Sequence, residues 1–345
     1  MIEPPILDDS TARTWIDVDL GVLARNVRAL RERLPESCGV LMVVKADAYG
    51  HGIEPAARAA RAAGVWGFAV AALDEAARLR EAGFDDPVVC LMPLLPAEAG
   101  RALDLAVVPG ITSIAQAEAF DAAARVRGRT MEVHADVDTG MGRTGAWDRD
   151  AIELIARVAK LPGLRVAGIF THFASADEAG RGPTERQLDR FDAVLAELET
   201  RGVRVECLHA ANSAAALRFA RATRLGARGG SPRILVRPGI AVYGAAGEIA
   251  PDDDAGRWRA AEGPGPPPFE PALSWHARVV AVKELAPGDA VSYHGSYVAR
   301  APEGGALPAT DFEDVSPFIY TVRVPAGRRE GLIGHLRQRG IATGI

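Results

Sequence analysis

The chain has 345 residues, 48% of them hydrophobic and 25% charged, with a net charge of −5. That is enough for one large domain plus a smaller piece, in the composition range of ordinary soluble globular proteins. The 40 Lys and Arg are dispersed, which argues against a nucleic-acid surface, and no apolar run approaches a membrane span.

The chain opens with MIEPPILDDS, which is acidic and lacks the apolar core of a signal peptide. Cys38, Cys90 and Cys207 show no paired spacing and sit near apolar runs, which suits a reduced compartment. A cytoplasmic location is expected. TWIDVDL (Thr14–Leu20) alternates like a short strand, so residues 1–19 read as an N-terminal strand segment, and Leu20–Leu34 repeats at helical spacing.

From Val40 a rhythm sets in. Apolar runs at 40–44, 65–70, 87–91, 105–108, 130–135, 165–170, 203–208 and 234–243 read as strands. Between them lie alanine-rich segments at Glu54–Ala63, Ala72–Ala82, Ile114–Ala124, Ile152–Leu161, Glu185–Thr200 and Ser213–Ala222. Their Ala, Leu, Arg and Glu content and amphipathic spacing favour helix. Strands alternating with helices in this way predict a parallel (β/α)8 barrel over 20–248.

Catalytic groups in such barrels gather where strands end. Here Lys45 follows the first run, Asp136, Asp138 and Arg143 the fifth, His172 the sixth, and His209 to Ser213 the seventh. Arg237 lies within the eighth unit, just before Pro238 and Gly239. Five separate stretches thus place polar groups on one rim. Lys45 either points to water or is a desolvated amine of lowered pKa. His172 is either a satisfied core histidine or, with Phe170 and Phe173 beside it, a ring that stacks on a flat ligand. An arginine flanked by Ile234, Leu235, Val236 and Ile240 calls for a partner. Asn212 and Ser213 precede a helix, as caps, as phosphate ligands, or as both.

GMGRTG (Gly140–Gly145) has dinucleotide-loop spacing, but it stands in the fifth unit and Trp147 to Arg149 intervene before the next helix. No Cys/His cluster has zinc spacing, and no G-x-S-x-G elbow occurs. Residues 249–271 hold five prolines between Pro264 and Pro271 and read as a linker. Alternation at Ala272–Val282 and Ala290–Ala299, split by the turn APGD, predicts a two-stranded β piece within 272–310. Residues 311–345 form an atypical tail.

VVKADAYGHG (Val43–Gly52), DTGMGRTG (Asp138–Gly145), THFASADE (Thr171–Glu178), HAANSAAALRF (His209–Phe219) and VRPGIAVYG (Val236–Gly244), in this order, resemble the alanine racemases. The likeness runs from about Thr14 to Ala299. It implies an α/β fold with a (β/α)8 TIM-type barrel that binds pyridoxal 5'-phosphate (PLP), followed by a β domain. It also implies interconversion of L- and D-alanine, D-alanine supply to the cell wall, and a head-to-tail homodimer. Lys45 would hold PLP as a Schiff base and act as base on the D-alanine side. Tyr49, Ser213 and the backbone near Asn212, Gly239 and Ile240 would contact the phosphate. His172 would pack near the cofactor ring, Arg237 would face its nitrogen, and Arg143 would bind a cofactor oxygen or the substrate carboxylate.

Two departures stand out. Asp136 occupies a position where the family often carries a carbamylated lysine, so its carboxylate is expected to neutralise Arg143 directly. After VSYHGSYVARAPEGG the family's GYADG-type segment, source of the second catalytic base, is missing. Tyr293, Tyr297 and Tyr320 are the tyrosines of this region. Residues 316–345 resemble instead the tail of DegT-type sugar aminotransferases, as in a fused or truncated product with an incomplete β domain. PLP binding with weak or absent racemisation is therefore expected. The alternatives are a non-catalytic PLP-binding barrel, or another PLP-dependent racemase or decarboxylase.

Overall fold

The computed structural model describes residues 12–178, 180–226, 232–245, 269–277, 288–291 and 297–298. They fall into two units, residues 18–273 and the segments before and after them.

The chain enters through β1 (Thr14–Val18) and α1 (Leu20–Arg31). Asp19 caps α1, accepting from the Val22 N–H at 2.9 Å. There follow β2 (Cys38–Val43), the single turn α2 (Lys45–Tyr49), α3 (Ile53–Ala62), β3 (Gly67–Val70), α4 (Leu73–Glu81) and β4 (Val88–Cys90). Next come α5 (Ala99–Asp104), β5 (Val107–Ile111), α6 (Ile114–Val126), β6 (Met131–Asp138), β7 (Ala146–Trp147) and α7 (Asp148–Val158). β8 (Leu164–Phe170), α8 (Gly182–Thr200), β9 (Cys207–Asn212), α9 (Ser213–Arg218) and β10 (Arg233–Arg237) complete the larger unit. Strands β2, β3, β4, β5, β6, β8, β9 and β10 pair in that order, and β10 returns to β2. Eight parallel strands close the expected barrel, with β7 an appendage on β6.

Parallel barrel strands are covered on both faces and so need apolar side chains at consecutive positions. In β2, Leu41 and Val43 point into an inner cluster with Ala69, Val89, Cys207 and Leu235. Val40, Met42 and Val44 belong to the outer layer between strands and helices. Each such Val or Leu is worth roughly 1.5–3 kcal/mol on full burial. The alanines of the helices serve the same layer: Ala56, Ala57 and Ala60 of α3 are fully buried.

Several boundaries differ from the sequence-based expectation. The seventh strand begins at Cys207, not at 203, because Val203 and Val205 pack against the outer layer from the loop after α8. Apolar alternation there records packing, not pairing. The eighth strand stops at Arg237, since Pro238 has no N–H for the ladder and the chain then turns over Gly239–Gly244. The helix expected over Ser213–Ala222 ends at Arg218 and continues as a 3₁₀ turn over Ala220–Thr223. The short helix α5 had no counterpart in the apolar pattern.

In the second unit β1 pairs with β11 (Leu273–Ala277), and the Trp15 ring stacks on His276 at 5.2 Å. β12 (Ala290–Val291) pairs antiparallel with β13 (Tyr297–Val298). The single strand expected over 290–299 is thus represented by two short strands that pair with each other. The tail at 311–345, with its likeness to sugar aminotransferases, lies outside the described residues, as does the linker up to residue 268.

Candidate active site

The barrel interior is apolar on the β2–β4 side, while β6, β9 and β10 add His134, Asp136, His209 and Arg237 to it beside the apolar Cys207 and Leu235. The pleat of β6 sends Val133, Ala135 and Val137 outward and leaves alternate positions, His134 and Asp136, to the interior. Strand register sets Asp136 beside Phe170, and Phe170 beside His209. The Phe170 ring stacks on His209 at 4.8 Å, nearly parallel. Phe173 belongs to the outer core, so neither phenylalanine flanks the His172 ring as the sequence suggested.

Arg237, at the end of β10, is fully enclosed. Its Nη1 donates to His209 Nδ1 at 2.8 Å and to the His209 carbonyl at 2.7 Å. Its Nη2 donates to the carbonyls of Thr171 and Ala210 and to His172 Nδ1, at 2.7, 3.2 and 3.2 Å. A guanidinium has five N–H donors, and these contacts occupy the four on the two terminal nitrogens. The fifth, Nε–H, is buried without a protein partner. Burial lowers the Arg237 pKa to about 10, with Asp136 opposing the shift and Arg143 adding to it, so the group stays charged at neutral pH. Burial and Arg237 in turn bring half-buried His172 down to about 3. Neutral His172 accepts at Nδ1 and therefore carries its proton on Nε2.

Lys45 leaves β2 onto α2, whose residues Ala46, Asp47, Ala48 and Tyr49 all have φ near +53°. This is one left-handed turn built without glycine, each residue costing roughly 1–2 kcal/mol. Contacts from α4 hold it. Glu75 Oε1 accepts from the Ala46 N–H at 2.7 Å, while Asp47 accepts from the Ile53 N–H at 2.9 Å and pairs with Arg78 at 2.7 Å. The turn leaves Lys45 exposed at the rim, not desolvated, with Nζ 5.9 Å from the Tyr49 ring centre.

Tyr49 reaches across to β10. A Cβ on Gly239 would lie 2.6 Å from the Tyr49 hydroxyl, so only glycine leaves room for it. Ser213 Oγ accepts from the N–H groups of Gly239 and Ala241 at 3.0 and 3.2 Å, which brackets half-buried Ile240 and keeps the serine proton for another acceptor. Asn212 caps α9, accepting from the Ala215 N–H at 2.9 Å. Tyr243 backs the cluster: its hydroxyl donates to the Val43 carbonyl at 2.9 Å and its ring packs on Tyr49 at 5.1 Å.

The GMGRTG loop is organised by Asp138. Its carboxylate accepts from the N–H groups of Gly140 and Met141, both at 2.8 Å, and of Arg143 at 3.2 Å. Gly140, Gly142 and Gly145 take positive φ, so the glycines turn the chain around a carboxylate and do not cradle a dinucleotide. Arg143 is exposed on this loop. No ion pair joins it to Asp136, whose Oδ2 is buried without a partner. The loop carries Arg143 outward, so the two do not form the expected direct ion pair, although the charge of Arg143 still pulls the Asp136 pKa down.

Lys45, Tyr49, His172, Ser213, Arg237 and Gly239 thus come together on the carboxyl rim, while Arg143 sits at its edge. Sequence reasoning missed the supports beneath: Glu75, His134, Tyr243 and Gln187, which bonds to the His172 carbonyl and the Thr139 hydroxyl at 3.0 and 3.3 Å. Tyr243 lies within the VRPGIAVYG motif and was within reach. The others carry no local signal. A cleft of about 580 Å3 lies elsewhere, near the amino end of β8. Arg165 there is held between Glu132 and Glu206, so its charge is already paired.

The donor set fits PLP: a rim amine at Lys45, the Ser213 hydroxyl and Tyr49 hydroxyl gathered beside the Gly239 backbone, and one unspent buried donor on Arg237. Fold and rim together define a TIM-barrel protein of the PLP-dependent class. The family description "Alanine racemase, N-terminal domain" matches residues 18–247. The alanine racemase of Carboxydothermus hydrogenoformans is 36% identical over 95% of this chain and 78% of its own length. That of Desulforamulus reducens is 37% identical over 93% and 83%. Among solved structures, alanine racemase from Streptomyces coelicolor A3(2) superposes with a TM-score of 0.71 at 35% identity, covering 85% of this chain and 73% of that one. The Bacillus anthracis alanine racemase with bound L-Ala-P gives 0.69 at 33%, over 84% and 70%. The chain belongs to the alanine racemase family, whose members are PLP-dependent isomerases.

Proposed function

We propose that the chain binds PLP at the barrel rim and interconverts L- and D-alanine. The observation that carries this reading is Arg237, with every terminal N–H spent on the protein and a buried Nε–H left over. PLP, when bound, supplies an electron-withdrawing ring that acidifies the Cα–H of an attached amino acid. Lys45 would hold the cofactor through its amine and would serve as the proton carrier on the D-alanine face. Tyr49, Ser213 and the backbone at Asn212, Gly239 and Ile240 hold the phosphate. Neutral His172 lies against the ring. Arg237 would present its free Nε–H to the cofactor ring, and its own pKa of about 10 keeps the proton on the guanidinium. Such a donor would limit how far charge spreads into the ring and would favour proton exchange over side reactions. Arg143 takes the substrate carboxylate.

Proton exchange on the opposite face needs a second carrier, and the sequence has no GYADG segment. We therefore infer PLP binding with slow racemisation. Residues 20–248 would be the PLP-binding domain, 249–271 a linker and 272–310 a partial β domain. A cytoplasmic, homodimeric protein fits this reading. Among the described residues no helix is long and apolar enough to cross a membrane.

The test is the visible spectrum of the purified full chain with PLP, beside Lys45→Ala, together with turnover from each enantiomer. A cofactor band that Lys45→Ala lacks is the expected result, and no band in the wild type would sink the reading. Rapid turnover from both enantiomers would remove the inference of a missing second base.

A further inference from the structure

His134 and Cys207 touch none of the rim groups, yet they end a chain of contacts that starts at Arg237. Register sets His134, Gly168 and Cys207 in one row across β6, β8 and β9. A Cβ on Gly168 would lie 2.7 Å from both His134 Nε2 and Cys207 Sγ, so the two side chains meet only because the residue between them is glycine. Their separation is 3.4 Å. On its other side, His134 Nδ1 lies 2.8 Å from His209 Nε2, in the row above.

Hydrogen positions along this path follow from the arginine, which can only donate. His209 Nδ1 must accept from Arg237 Nη1, so His209 carries its proton on Nε2. That proton faces His134 Nδ1, which must accept, so His134 also carries its proton on Nε2, aimed at Cys207 Sγ. The cysteine's own S–H has the Ala167 carbonyl at 3.7 Å. The opposite direction would strip both ring nitrogens of His209 of protons. A doubly protonated His209 would set N–H against N–H. Only one direction is consistent. Burial and the nearby guanidinium hold His134 down to about 3 and His209 well below its ordinary value, so both rings are neutral.

The two histidines and Cys207 also have metal-ligand chemistry, with ligand atoms within 4.8 Å of one another. Two nitrogens at about 2.0–2.1 Å from a tetrahedral ion stand about 3.3 Å apart, whereas the imidazoles are 2.8 Å apart, the distance of a hydrogen bond between them.

We propose that His134, backed by Cys207, is a positioning residue for Arg237: acting through His209, it anchors a one-way hydrogen-bond chain that keeps the free Nε–H of Arg237 presented to the cofactor. This rests on the reading of Arg237 as the group that faces the cofactor ring.

The experiment uses the full chain with 15N-labelled histidine rings, without and with PLP, as wild type, His134→Leu, His134→Asn and Cys207→Ser. In the wild type both His134 and His209 should be single Nε2–H tautomers, cofactor or not. His134→Leu removes the acceptor of the buried His209 Nε2–H, so that N–H should lose its hydrogen-bonded 15N shift while Nδ1 still accepts from Arg237. kcat should then fall by about tenfold to a hundredfold, the size expected for one unsatisfied buried donor, with KM for alanine little changed. His134→Asn, whose Oδ1 can accept in place of Nδ1, should restore most of both. An Nδ1–H tautomer at either histidine in the wild type would overturn the proposal. So would a His134→Leu variant that keeps the wild-type His209 Nε2–H shift and wild-type kcat, or one zinc ion bound per chain and lost in Cys207→Ser. Absence of PLP uptake by the wild type would instead count against the site reading, while the tautomers of the cofactor-free protein still decide the chain.

Discussion

Asp136 carries a carboxyl group into the barrel, and one of its oxygens finds no partner there. Burial, the largest influence, raises its pKa from 3.8 to about 6 against the opposing pull of Thr144, Arg237 and Arg143. Two pKa units correspond to about 3 kcal/mol. Because the folded pKa is the higher one, the folded chain holds more protons than the unfolded chain between about pH 4 and pH 6. This residue's contribution is therefore most favourable below pH 4 and is lost as the pH rises through 6. Asp136→Asn removes the charge and keeps the shape. In urea unfolding of the cofactor-free protein it should be more stable than wild type at pH 7, by up to about 3 kcal/mol, and indistinguishable at pH 4. An Asn variant that is weaker at pH 7 would show that the ionised carboxylate has a partner after all.

At the scale of elements, two short pieces govern where Lys45 and its neighbours sit. The left-handed turn α2 asks an L-residue to adopt positive φ at four successive positions. Ala46 is exposed there, so Ala46→Gly removes a steric cost without removing a contact and should stabilise the protein by about 1 kcal/mol. Unfolding midpoints would show it, and a loss of stability would mean that the turn is not left-handed at that residue. The β10–α9 junction depends on Ser213 as a double acceptor. Ser213→Ala leaves the buried N–H groups of Gly239 and Ala241 unpaired and should cost about 1–3 kcal/mol. It should also weaken PLP uptake in equilibrium dialysis. Unchanged values of both would take Ser213 out of the site.

Across the whole molecule, acid stability is a contest between this carboxyl group and the buried histidines. His134 and His172 have pKa values near 3 in the fold, and His209 lies well below its ordinary value, from burial first and the charge of Arg237 second. A histidine whose folded pKa is depressed contributes stability above about pH 6.5 and loses it as the pH falls toward the folded value. By pH 4 His134 and His172 each cost on the order of 3 kcal/mol and His209 adds in the same direction, whereas Asp136 returns about that much once. The histidines win. Stability should fall steadily from pH 6.5 to pH 4, measured as the urea midpoint at several pH values. A flat profile would mean that the rings are already solvated and titrating in the folded protein.

The period of apolar runs and alanine-rich segments was enough to read a (β/α)8 barrel, because every strand needs two apolar faces and every helix one. The rim was legible for the same reason: Lys45, His172 and Arg237 are polar residues at or just beyond the ends of apolar runs. Strand limits were less so, since Val203, Val205 and Ile240 are apolar for packing and not for pairing. The left-handed turn was hidden because Ala-Asp-Ala-Tyr has no glycine to announce it, and Glu75 and Arg78, the partner of Asp47, hold it from a neighbouring helix. His134, Gly168 and Cys207 looked like ordinary members of three strands. A strand's own pattern says which face a side chain takes, while register between strands, set by long-range pairing, decides which side chains meet. Only the closed barrel could put a glycine between a histidine and a cysteine, and the far end of that chain on Arg237.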